Sequence, residues 1–221
     1  MKTLLLYIPL IAKGVGVTLG AWVFSAFVSA CVGMCLGVLS AQHMHYYSVK
    51  LVIKSYTFIA KGIPAYVQIL IAYFVLPSLC GFSITPFFAA CSALAFCSGG
   101  YVTEIICAGI NSVDKGQWDA ALVLGYSRFN TVKKIILPQA LKTIYPALLG
   151  EYEQLLKSTS LLATIGVTEL TRAGQNIISR ELNPFSVYGM IACIYLFFSA
   201  VIHIVIYYLQ QRKGRLHGNG N

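Results

Sequence analysis

Charge is what this sequence has least of. Only 10% of its 221 residues are Asp, Glu, Lys or Arg, and none falls between Gly14 and Val49 or between Gly62 and Thr103. Each gap is longer than the roughly 20 residues a helix needs to cross a bilayer. With 57% hydrophobic residues and a mean hydropathy of +0.74, these gaps exclude a soluble core and make the chain an integral membrane protein. Paired cysteine motifs are missing too: the seven cysteines form no C-x-x-C, and most fall in apolar runs where they read as small packing residues. Cys80, in an outer turn, is the one position where a disulfide is conceivable. No internal repeat or low-complexity run is evident, no A-x-A site follows the short apolar start before Lys13, and the N-terminus is expected to be retained. No nucleophile and base stand in a catalytic constellation, and His203 is alone on the last apolar run. The pair His43 and His45 lacks a third ligand at metal-binding spacing and reads as two interfacial histidines.

What is present divides into five apolar segments, Val15 to Leu39, Ser55 to Leu76, Phe87 to Ile110, a weaker Ile136 to Leu156, and Phe185 to Leu209. Pro77, Gly81 and Pro86 predict a turn between the second and third. The fourth carries Lys142, Glu151 and Glu153, so topology rather than hydropathy supports it. With the N-terminus outside, ten of the 16 basic residues lie on the inner side: Lys50, Lys54, Lys115, Arg128, Lys133, Lys134, Lys142, Arg212, Lys213 and Arg215. The positive-inside rule favours that orientation, and the net charge of +9 then answers to orientation and anionic lipid rather than to nucleic acid. The layout expected is one transmembrane domain over residues 1–211 and a basic tail over 212–221. In the first span, Gly16-x-x-x-Gly20 and Gly33-x-x-x-Gly37 predict close helix approach, within the chain or to a neighbour.

The polar stretch Gly116 to Pro138 interrupts the apolar pattern, within a loop spanning 111–138. Asp114 and Gln117 have capping-box spacing, Gly125 suits a left-handed helix stop, Ser127 can cap a second helix, and Pro138 would end or kink it. Trp118, Ala121 and Leu122 share one face, and Phe129, Val132 and Ile136 another. Two amphipathic helices at an elbow make a docking surface or, from periodicity alone, a helix lying on the bilayer.

Asp119-Ala120-Ala121, then Gly125, then Ile135-x-Leu137-Pro138 resembles the EAA loop of ABC importer permeases. Lys61-Gly62-Ile63-Pro64 with Val67-Gln68, Tyr101-x-x-Glu104-Ile105-Ile106 with Gly109-Ile110, and Lys157-Ser158-Thr159-Ser160-Leu161 with Glu169-Leu170 extend the likeness across most of the chain. Together they resemble the inner-membrane permeases of bacterial importers for polar amino acids, of the histidine and glutamine permease type. Departures are Asp119 for Glu, Lys61 and Cys107 for Arg, Ser158 for Asp and Gly150 for Asn; Lys for Arg would weaken a bidentate grip on a carboxylate.

The resemblance implies an all-α, type I ABC importer permease fold of about five transmembrane helices with a cytoplasmic coupling elbow. It implies a bacterial inner-membrane, multi-pass subunit with its N-terminus outside and its C-terminus cytoplasmic, itself not an enzyme. It implies a second permease subunit, identical or different, an extracytoplasmic amino-acid-binding protein that sets much of the specificity, and a separate ABC ATPase holding ATP and Mg, with no cofactor on this chain. Gly116, Asp119, Ala120, Ala121, Gly125 and Pro138 would make the ATPase coupling contact. Glu153, Lys61, Gln68 and Glu104 are pathway candidates, because an ionisable group at membrane depth is costly unless used, paired or hydrated. Glu153 either meets a cationic substrate or pairs with Lys157 four residues on, and Lys61 with Glu104 either lines the pathway or bridges two spans. An ion-coupled secondary transporter is the alternative; it has no need of an ATPase dock.

Overall fold

In the computed structural model, which describes residues 6–41 and 47–217, apolar sequence without backbone partners in lipid folds almost entirely as helix. Helix α1 (Ile8–Ser40) begins with Pro9 in its first turn, where the missing N–H costs nothing. Its 33 residues reach about 50 Å at 1.5 Å per residue, more than the hydrocarbon thickness. Its buried face is a run of small residues, Gly14, Thr18, Ala21, Ser25, Ser29, Gly33 and Gly37, spaced three and four apart. From Ala21 onward that stripe lies against the central helix α4 (Pro86–Asn111), which is buried on more sides than the other apolar helices, while Gly14 and Thr18 meet residues 169–173. A Cβ at Gly33 would stand 2.4 Å from Val102 Cγ1, and one at Gly37 2.6 Å from Ile106 Cβ, so only glycine permits this approach. The other pair differs: a Cβ at Gly16 or Gly20 would meet nothing within 4 Å.

The expected span Ser55 to Leu76 is not one helix. Helix α2 (Tyr47–Gly62) and helix α3 (Ala65–Cys80) meet at a 101° bend. Pro64 carries no N–H and disfavours helical geometry at Ile63, which stops α2 there. The turn after α3 is shorter than Pro77 to Pro86: Pro77 lies inside the helix, and Gly81, at φ +70°, ends it. Thr85 then caps α4 by accepting from Phe88 N at 3.5 Å.

Beyond α4, helix α5 (Lys115–Val123) runs to Gly125, whose φ of +76° turns the chain into helix α6. Helix α6 comprises Arg128–Thr131, a π turn at Val132–Ile136, and Leu137–Ser158. A π turn also occupies Ile71–Val75 in α3. In both places the wide turn ends two residues before a proline, Pro77 or Pro138, whose ring would strike the carbonyl four residues back. Pro138 therefore neither ends its helix nor breaks it; the π turn absorbs it. A 3-10 segment (Thr159–Ile165) and Gly166 lead to helix α7 (Leu170–Glu181) and the last helix α8 (Pro184–His217).

Three helices, α1, α4 and the Pro184–Val205 part of α8, are long and apolar enough to cross a membrane, and the bent pair α2 and α3 makes a fourth if counted as one span. Helix α6 forms as expected over the fourth segment but keeps Lys142, Glu151, Glu153 and Lys157. Polar contacts tie these helices together at isolated points. Ser25 Oγ donates to Cys91 O at 3.1 Å, Trp22 Nε1 to Tyr152 O at 2.7 Å, and Leu170 N to Thr18 Oγ1 at 3.1 Å. All seven cysteines are free thiols, Cys80 included; only Cys91 is fully buried, so the packing role expected of most of them holds best there. His43 and His45 lie outside the described residues.

Candidate functional site

The elbow is built by two caps and a glycine. Asp114 Oδ1 accepts from Gly116 N at 2.7 Å, which starts α5, and Ser127 Oγ accepts from Asn130 N at 3.4 Å, which starts α6. The reciprocal half of the expected capping box takes another form: Gln117 Oε1 accepts from Gln139 Nε2 at 3.3 Å, bracing α5 against α6. Trp118 on α5 and Val132 and Ile136 on α6 are buried in one cluster with Val102, Ile106 and Ile110 of α4. The elbow is thereby seated on the central helix.

What faces away from that seat is apolar as well. Leu122, Val123, Leu124 and Phe129 are exposed, with Val123 88% and Leu124 74% accessible. Asp119, Ala120, Gly116, Gly125 and Pro138 are exposed beside them, whereas Ala121 is 1% exposed and packs inward. Phe129 does not share the buried face of Val132 and Ile136. Thr131 and Val132 are the buried residues of the first turn of α6, and at helical spacing they centre the buried face about 110° from Phe129. Leu122 likewise falls at the edge of the face that buries Trp118 and Ala121. Leu122, Val123 and Leu124 are consecutive, so the exposed apolar side chains of the elbow gather at the end of α5.

The residues considered for a pathway separate into partners and lining. Lys61 forms an ion pair with Glu104 across α2 and α4, and its ammonium lies 5.5 Å from the Tyr101 ring centroid. Gln68 Nε2 donates to Ala60 O at 2.8 Å and Ile63 O at 2.7 Å, satisfying carbonyls released at the bend. Glu153, buried on α6, accepts from Lys157 Nζ at 2.6 Å, and its other oxygen lies 3.2 Å from His203 Nδ1 on α8. The histidine that stood alone in the sequence thus meets a carboxylate 50 positions away, a pairing no local pattern could signal. A cavity of about 310 Å³ opens between α2, α4 and α6, lined by Lys61, Pro64, Ser98, Tyr101, Glu151, Gln154 and Ser158. Glu151, noted in the sequence only as a charge on a weak span, is the carboxylate that lines this cleft.

Residues 33–215 match the family of binding-protein-dependent transport system inner membrane components. The chain belongs to this family. Among its relatives, the arginine transport system permease protein ArtQ of Bacillus subtilis is 36% identical over 187 residues, 83% of this chain and 84% of that protein. The glutamine transport system permease protein GlnP of Escherichia coli K12 is 33% identical over 208 residues, 93% of each. The crystal structure of an amino acid ABC transporter with histidines contains a chain of 33% identity that superposes with a TM-score of 0.86, covering 95% of this chain and 97% of that one. Inward-facing structures of the methionine transporter MetNI, at 18% identity and a TM-score of 0.77, cover 92% of this chain and 96% of theirs and share the fold. The permease fold is thus that of ABC importers, as the EAA-like spacing implies, and a binding-protein-dependent system excludes the secondary transporter. Both the elbow and the cleft of this permease lie inside the matched region.

Proposed function

We propose that this permease carries a polar amino acid inward as one of two permease subunits, identical or different, served by an extracytoplasmic binding protein and driven by a separate ABC ATPase that holds ATP and Mg. The elbow carries this reading. Its exposed side presents Asp119, Ala120, Gly125, Leu122, Leu124 and Phe129, while Trp118, Val132 and Ile136 root it in α4, so force applied at the elbow reaches the central helix without a flexible joint. Gly116 and Pro138 border that surface, and Ala121 serves it from beneath. The elbow faces the cytoplasm, which the distribution of lysine and arginine supports; the N-terminus is then outside and the tail inside. Closure of the ATPases drives the elbows, and the helices rock about the pathway as rigid bodies.

Substrate passes by the cleft between α2, α4 and α6, where Glu151 and Gln154 offer acceptors for an ammonium group. Lys61 with Glu104, Gln68 and Glu153 shape the walls through the contacts they already make. The amino acids named for GlnP and ArtQ make glutamine and arginine the first substrates to try. The test is transport competition in vesicles reconstituted with the cognate binding protein and ATPase. Uptake that needs ATP and is competed by polar amino acids supports the assignment; uptake independent of the ATPase overturns it.

A further inference from the structure

A second cavity, of about 330 Å³, lies at the elbow end of the helices, between the end of α1, the start of α2 and the end of α4. Ser40, Lys50, Lys54, Thr57, Glu104 and Asn111 supply its polar lining. Lys50 and Lys54 are four residues apart and so share one face of α2, stacked over the opening. The carboxylate in the lining, Glu104, forms its ion pair with Lys61, so the lining, with two lysines against this one carboxylate, keeps an excess of positive charge. Among the described residues no carboxylate forms a salt bridge with Lys54. Beyond the lysines the same helix exposes Phe58 and Ile59, with Phe58 79% accessible. The basic recess thus lies on a helix whose following turn carries exposed apolar side chains.

We propose that this recess binds the headgroup of an anionic phospholipid, with Lys50 and Lys54 holding the phosphate and the apolar side of α2 holding an acyl chain. A basic pocket between membrane helices is suited to such headgroups. The apolar wall separates a lipid from a free phosphate ion, which would gain nothing from Phe58 and Ile59. Assignment to the cytoplasmic leaflet rests on the orientation proposed above; the site itself does not. Bound there, the lipid clamps the start of α2 to the end of α4, on the side of Glu104 away from the bend at Pro64.

The full chain, purified in the complex it forms, is titrated with phosphatidylglycerol and with phosphatidylcholine, and bound lipid is counted by native mass spectrometry. The double variant Lys50→Gln, Lys54→Gln is expected to weaken phosphatidylglycerol binding about 20- to 30-fold, from roughly fivefold per lysine at a membrane surface, and to leave phosphatidylcholine unchanged. Lys50→Arg with Lys54→Arg should retain it, with size-exclusion profiles showing that each variant folds. If Lys133→Gln with Lys134→Gln, an equal charge change at the elbow, weakens binding as much, net charge is responsible and the site falls. If millimolar inorganic phosphate displaces the lipid fully, the ligand is the free anion and the lipid assignment falls. Labelling of Tyr126→Cys by an impermeant reagent from outside would overturn the orientation alone, leaving the lipid result to stand or fall separately.

Discussion

Gln68 donates through its side-chain amide nitrogen to the carbonyl oxygen of Ala60 at 2.8 Å, reaching back across the 101° bend between α2 and α3. The same nitrogen serves Ile63 O at 2.7 Å, so one side chain replaces the backbone donors that Pro64 removes. Gln68→Leu keeps the size and deletes the donor, leaving two carbonyls without it at a cost of about 2 kcal/mol. Gln68→Glu is expected to be worse, because it turns an acceptor toward acceptors. Thermal unfolding in detergent measures both; an unchanged midpoint for Gln68→Leu would show that the bend holds without its bracket.

The glycines of α1 separate by what lies opposite them. Gly37→Ala places a methyl 2.6 Å from Ile106 Cβ, and Gly33→Ala 2.4 Å from Val102 Cγ1. Each is expected to cost about 1–3 kcal/mol through overpacking between α1 and α4. Gly16→Ala and Gly20→Ala meet open space and should lie within about 0.5 kcal/mol of the parent, or gain slightly from a stiffer helix. Melting of the isolated subunit should rank the four in that order.

At the elbow, exposure divides coupling from packing. Leu124→Asp and Phe129→Asp alter side chains that touch little of this subunit and are expected to reduce ATPase co-purification at least tenfold without loss of membrane insertion. Asp119→Lys should act in the same way by reversing charge, and a bulky residue at Gly125 by straining a backbone at φ +76°. Ala121→Asp, in contrast, buries a carboxylate under the elbow and should lower the yield of folded protein. Undiminished co-purification with the exposed-site variants would remove the docking assignment.

Much of this architecture was legible in residue order because its signals are local. Long uncharged runs mark α1, α4 and α8, and Asp114, Gly125 and Ser127 mark the elbow by capping chemistry that acts within a few residues. Three features were not legible. The bend at Pro64 depends on whether Gln68 can satisfy the freed carbonyls, which no hydropathy window registers. The exposure of Phe129 beside buried Thr131 and Val132 depends on which side of α6 meets α4, a contact between elements distant in sequence. The approach of His203 to Glu153 joins α8 to α6 and exists only once both helices pack. The sequence-based reading consequently located the two helices of the elbow more closely than the polar contacts between the long helices.

Glu153 and Glu151 lie two residues apart on α6 and face different surroundings. Glu153 is 7% exposed, paired with Lys157 and within 3.2 Å of His203, whereas Glu151 lines the open cleft. A carboxylate already engaged by one or two cations has little to offer a third, so Glu153→Gln should lower stability by about 1 kcal/mol and leave the order of substrate competition intact. Glu151→Gln should instead reduce competition by cationic amino acids more than by neutral ones, because it keeps an acceptor but removes the negative charge that faces the cavity. Competition by arginine and glutamine in reconstituted vesicles separates the two variants. Selective loss of arginine with Glu153→Gln, and none with Glu151→Gln, would mean that the pair with Lys157 opens during transport and that the buried carboxylate is the one that meets the substrate.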